Sequence, residues 1–134
     1  MRKKVFEGRL TPGGCVVTYG GEKLNPRNNV RNHSPDGFEW GYQGSGPAQL
    51  ALAVLYKAAG QETALELYQE FKRKVIAHIR ADTWKLEKDT VLAWVADALI
   101  AAAARERESD LFTDEGAKRL MSDLTAPQGR NEDS

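Results

Sequence analysis

The chain has no excess of charge of either sign, no second cysteine and no long apolar run. Each absence excludes something. Lys plus Arg number 19 and Asp plus Glu number 19, so the basic surplus of a nonspecific nucleic-acid binder is missing and nucleic acid is not the favoured partner. The lone Cys15 excludes an intrachain disulfide and fits a reducing compartment. Lys57 and Asp97 interrupt the longest apolar stretches well short of a membrane span, so no membrane partner is expected. Met1-Arg2-Lys3-Lys4 runs directly into Val5-Phe6-Glu7, without the apolar core of a secretory leader. Cytoplasmic location is therefore the expectation. Cys15, His33 and His78 form no recognisable zinc spacing, so neither a metal nor a cofactor is expected.

What is present suits one compact domain, expected over residues 1–125, followed by a flexible tail at 126–134 with almost no apolar side chain. Residues 3–10 read as a strand and Thr11-Pro12-Gly13-Gly14 as a turn. The β-branched and aromatic run Cys15-Val16-Val17-Thr18-Tyr19 reads as a second strand. Gly20-Gly21 is a two-residue hairpin signal, with a short third strand at 22–24. Residues 82–86 read as a link. Helices are expected at 47–59, 62–79, about 87–107, and in a short piece opened by Thr113 as N-cap. The first is apolar round most of its circumference and should be central, ending at Gly60. The order is strands first, helices after. The expected fold class is α+β, an N-terminal antiparallel hairpin sheet of about three strands packed on three to four helices.

Between the strands and the first helix lies the long irregular segment 27–45. Loops of this length in small domains are uncommon and often functional. Its end, Gly37-Phe38-Glu39-Trp40-Gly41-Tyr42-Gln43-Gly44-Ser45-Gly46-Pro47, brings aromatics, a carboxylate and glycines to a helix start. Helix starts expose free N–H groups at the positive end of a dipole, which suits an anion. In that reading the Ser45 hydroxyl and the N–H groups of Ala48 and Gln49 point into a cleft, closed by Arg27 or Arg31. The plainer reading is a tight turn in which the glycines permit close packing, since Pro47 removes a donor. His33 is either a loop-pinning hydrogen bonder, the favoured reading, or a base. Glu39, if buried, needs a partner such as Arg27 or Arg31. Left unpaired in a cleft, it becomes a ligand-binding or catalytic group. Trp40 and Tyr42 are equally readable as core or as a stacking surface.

The string Arg31-Asn32-His33-Ser34-Pro35-Asp36-Gly37-Phe38-Glu39-Trp40-Gly41-Tyr42-Gln43-Gly44-Ser45-Gly46-Pro47-Ala48-Gln49-Leu50-Ala51-Leu52-Ala53 resembles a bacterial family defined as a domain of unknown function. Residues 65–72 and the hairpin 16–24 extend the resemblance, although Tyr19 and Gly20 stand where the family pattern has Val-Asp. The resemblance implies small proteins of bacterial chromosomes, plasmids and phages, with interference in host defence among the candidate roles. It implies no activity.

The leading expectation is thus a non-enzymatic binding module with a protein partner. Its surface would be drawn from Arg27, Arg31, His33, Glu39, Trp40, Tyr42, Ser45, Ala48 and Gln49. The alternatives are a binder of a nucleotide or other phosphorylated small ligand at the 44–47 helix start, and a small hydrolase using His33 and Glu39.

Overall fold

The computed structural model describes residues 3–111. The expected helix at Thr113 and the tail at 126–134 lie outside the described residues. The chain divides into two compact units, Met1–Val95 and Ala96–Ser134. The first carries nearly all of the secondary structure described below.

The fold is α+β. Strand β1 (Val5–Thr11) pairs antiparallel with β2 (Gly14–Tyr19), which pairs with the short β3 (Glu22–Lys23). Gly20 and Gly21 take φ of 59° and 86°, the positive values that this two-residue hairpin requires. At the other hairpin the Thr11 hydroxyl donates to the Gly14 carbonyl at 2.8 Å and accepts from the Gly13 N–H at 3.2 Å. Residues of alternate sign point to opposite faces: Phe6 and Gly8 are buried while Glu7 and Arg9 are exposed.

Of residues 82–86, expected as a link, 83–86 belong instead to a strand. Strand β4 (Thr83–Glu87) runs antiparallel along β1, giving a four-stranded sheet in the order β3-β2-β1-β4. Its sequence alternates, with Trp84 and Leu86 turned inward and Thr83, Lys85 and Glu87 exposed. Gly8 makes room for it. A Cβ on Gly8 would lie 2.2–2.5 Å from atoms of the Trp84 indole, so the ring crosses β1 where there is no side chain. Trp40 packs edge-on against this indole at 5.5 Å and 87°. The Trp84 Nε1–H is buried without a hydrogen-bond partner.

Helix α1 (Ser45–Ala59) is buried at every position from Gly46 to Leu55, as an all-round apolar helix must be. Gly60, at φ 95°, ends α1 and at once opens α2 (Gln61–Lys74). Its N–H donates to the Tyr56 carbonyl at 2.9 Å and its carbonyl accepts from Ala64 at 3.0 Å. Ala64, Leu67, Tyr68 and Phe71 form the buried stripe of α2. The helix stops at Lys74 rather than at 79, and residues 76–78 tighten into a 3₁₀ turn. Carbonyls of this turn are capped from outside it. Gly41 N–H donates to the Ile76 carbonyl at 3.0 Å, and the Arg80 guanidinium bridges the Ala77 and Gly41 carbonyls at 2.8 and 3.0 Å. Helix α3 (Lys88–Leu111) follows β4 directly, with Val91 and Val95 buried and Trp94 edge-on to Phe71 at 4.9 Å.

Candidate functional site

A long loop must satisfy its own polar backbone, and here one side chain does much of that. Gln49, fully buried in the first turns of α1, makes four hydrogen bonds to the loop. Its Oε1 accepts from His33 N–H at 2.8 Å and from Ser34 N–H at 3.1 Å. Its Nε2 donates to the carbonyls of Pro26 and Arg31. That saturates both ends of a carboxamide. His33 adds a second pin, with Nε2 2.7 Å from the Tyr68 hydroxyl. It is the loop-pinning histidine that its sequence setting suggests.

Arg27 holds the loop's entry. It is the one non-glycine at positive φ, 60°, among the described residues. The Asn25 Oδ1 accepts its N–H at 2.9 Å, and its carbonyl accepts from Val30 and Arg31 at 2.9 and 3.2 Å. Its guanidinium lies 3.9 Å from the Tyr56 ring centroid, while Arg31 turns to the Val30 carbonyl at 2.8 Å.

The loop's exit is built differently. Glu39 is exposed and takes the Tyr42 hydroxyl as its hydrogen-bond partner, so the arginine pairing that a buried carboxylate would call for does not arise. This pair lies on the glycines. A Cβ on Gly44 would come within 2.4 Å of the Tyr42 ring, and one on Gly46 within 2.5–2.9 Å of the Glu39 side chain. The glycines of Gly44-Ser45-Gly46 therefore form a bed for the Glu39–Tyr42 pair. The Ala48 N–H donates to the Gly44 carbonyl at 3.0 Å, inside the helix. Ser45 is exposed at the first helical position. Trp40 is half-buried, with its Nε1–H on the Ala81 carbonyl at 3.0 Å, so it ties the loop to the approach of β4.

Beside this exit an open cleft of about 390 Å³ separates the β1–β2 tip from the loop. Leu10 and Cys15 form one wall, directly paired across the hairpin, and Ser34, Asp36, Phe38 and Glu39 line the other. Burial pushes the Cys15 thiol above its ordinary pKa, and the negative charges of Glu39 and Asp82 push it further. The thiol stays protonated at neutral pH and is a poor nucleophile. The Tyr42 hydroxyl is also held above its ordinary value, chiefly because its proton is bonded to Glu39. Among the described residues no group of three or more His, Cys, Asp or Glu side chains could hold a metal ion.

Of the residues singled out in the sequence, the loop brings Glu39 and Tyr42 together and joins His33 to Gln49. Arg27 and Arg31 stand apart, each with its own contact. Leu10, Cys15, Asp36 and Phe38 carried no such signal, because only the β1–β2 register sets Cys15 beside Leu10 and opposite the loop.

No curated protein and no solved structure matches the chain. A family model does match, over residues 6–97, covering the sheet, the loop, α1, α2 and the start of α3. The chain belongs to a family of unknown function, DUF6166.

Proposed function

We propose that this protein is a small non-enzymatic binding module that docks a protein partner at the cleft between the β1–β2 tip and residues 34–39. The observation that carries the reading is the cleft itself. It is open, it exposes half of the Leu10 side chain (53%) beside Phe38, and it carries the carboxylates of Asp36 and Glu39. An exposed leucine facing two carboxylates suits a partner segment that presents a basic side chain on an aliphatic stem. The groups that would serve catalysis are engaged elsewhere. The His33 ring is on Tyr68 and the Cys15 thiol is held neutral. A hydrolase using His33 and Glu39 is correspondingly less well supported. So is a phosphorylated ligand at the 44–47 helix start, where the Glu39 carboxylate already lies against the first turn. The family resemblance adds a bacterial or mobile-element setting, with a cytoplasmic component of a host defence system as the partner class.

Native mass spectrometry of the protein purified from its cells tests the reading. A co-purifying protein should be present with the wild-type chain and absent with both Leu10→Asp and Glu39→Lys. It should be retained with Lys85→Glu, on an exposed position of β4 away from the cleft. Retention by both cleft variants would remove the cleft from consideration.

A further inference from the structure

At the N-terminus of α1, where the glycine loop suggests an anion site, the Glu39 side chain lies against Gly46. The opposite end of the same helix presents the reverse charge. A pocket of about 100 Å³ lies between the β2–β3 hairpin and the last turns of α1, and Lys23, Arg27 and Lys57 all line it. We propose that this pocket binds a phosphate-class oxyanion, the phosphoryl group of a small molecule or free phosphate. The proposal does not depend on the cleft being a docking surface.

Three features support it. The first is preorganisation. Arg27 rests on the Tyr56 ring at 3.9 Å, and Lys57, the next residue of α1, sits 5.3 Å from the Tyr19 centroid. Stacking on a ring leaves the N–H edge of a guanidinium free for two parallel bonds to an oxyanion. The second is the missing acceptor. Among the described residues no carboxylate or carbonyl takes a hydrogen bond from the Arg27 guanidinium, and none pairs with Lys23 or Lys57. The third is the backbone. Arg27 is held in the left-handed region by the Asn25 side chain and by two backbone bonds to its carbonyl, so the side chain leaves from a fixed place. A non-glycine residue there costs on the order of 1 kcal/mol, which these bonds offset.

The opposing charges are smaller. Glu22 lines the same pocket, and the C-terminus of α1 contributes roughly half a negative charge. Against three cations they leave the pocket positive, and a dianion is attracted.

Amide and guanidinium NMR of the full chain, titrated with sodium phosphate at constant ionic strength, reads the site directly. Saturable shifts should appear at Lys23, Asn25 and the Arg27 Nε–H below about 10 mM, a range typical of weak oxyanion sites. A nucleoside monophosphate in a parallel titration separates the sources. Tighter binding than phosphate assigns a phosphorylated small molecule, and equal binding assigns the free ion. Arg27→Gln should weaken binding about tenfold, the value of one bidentate charge-assisted contact. Lys57→Gln, at an exposed position where folding is not at stake, should weaken it about threefold through loss of one charge. Linear, unsaturated shifts, or an affinity unchanged in Lys57→Gln and in a folded Arg27→Gln, would overturn the proposal.

Discussion

Gln49 and Glu39 hold the two ends of one loop, and they do it in opposite ways. Gln49 is neutral, buried and fully hydrogen-bonded, with partners at Pro26, Arg31, His33 and Ser34. Glu39 is charged and exposed, has Tyr42 for a partner and borders an open cleft. A buried carboxamide can saturate its donors and acceptors without the desolvation cost of a charge, so it suits a permanent clamp. An exposed carboxylate loses little when it exchanges one partner for another, so it suits a surface that meets a ligand. The clamp and the proposed recognition surface thus draw on groups of opposite character within the same segment.

The sharpest way to break this comparison is at the clamp. Gln49→Leu keeps the volume and removes the partner of two backbone N–H groups, His33 and Ser34, and of two carbonyls, Pro26 and Arg31. Water reaches some of them, so the loss should be about 3–5 kcal/mol. Chemical denaturation measures it, and a midpoint within error of wild type would mean that the loop does not need Gln49. The exit should respond less. Gly46→Ala drives a Cβ to 2.5 Å from the Glu39 Oε1, which can swing away, and to 2.7 Å from the Glu39 Cβ, which moves only with the backbone, so about 1–3 kcal/mol is expected. In a Glu39→Gly background, which removes the Cβ contact as well as the carboxylate, the same change should cost clearly less. An equal cost in both backgrounds would show that the glycine is needed for the helix and not for the carboxylate.

Two smaller effects report on the cleft alone. Alkylation of Cys15 by iodoacetamide at pH 8 should be slow, and Glu39→Gln should quicken it by only two- to threefold or so. Burial is the larger cause of the raised pKa and survives that change. A rate equal to that of the unfolded chain would contradict the described setting of the thiol. The smallest effect is at Tyr42. Its hydroxyl has a higher pKa in the folded than in the unfolded protein, so its contribution is complete below the ordinary value of 10.0 and is lost as pH rises through the folded value. Wild type should therefore lose slightly more stability than Tyr42→Phe above pH 10, with the two converging in trend at neutral pH. Parallel alkaline melting curves would show the difference, and superimposable slopes would remove the Glu39 hydrogen bond as its cause.

Much of the architecture was legible in local sequence. Gly20-Gly21 announced a hairpin, the all-round apolar run announced the central helix, and Gly60 announced its end. Strand β4 was not legible, because five alternating residues after a helix look like a connection until Gly8 is seen to leave space for Trp84. The end of α2 was misplaced because its periodicity continues to Ile79, whereas the His78 and Ile79 N–H groups turn to the Val75 and Ile76 carbonyls in a 3₁₀ turn. His33 was read as a pin, yet its partners Gln49 and Tyr68 lie on two different helices.

Sequence alone determined the fold class, the glycine-bearing turns and the position of a long loop before a buried helix, since these follow from periodicity and backbone preference over a few residues. Tertiary structure decided which polar groups meet. Glu39 went to Tyr42 and not to an arginine, Arg27 went to Tyr56, and Cys15 came to face the loop, because hydrogen bonds and ring contacts depend on ångström distances between segments that the chain brings together only by packing.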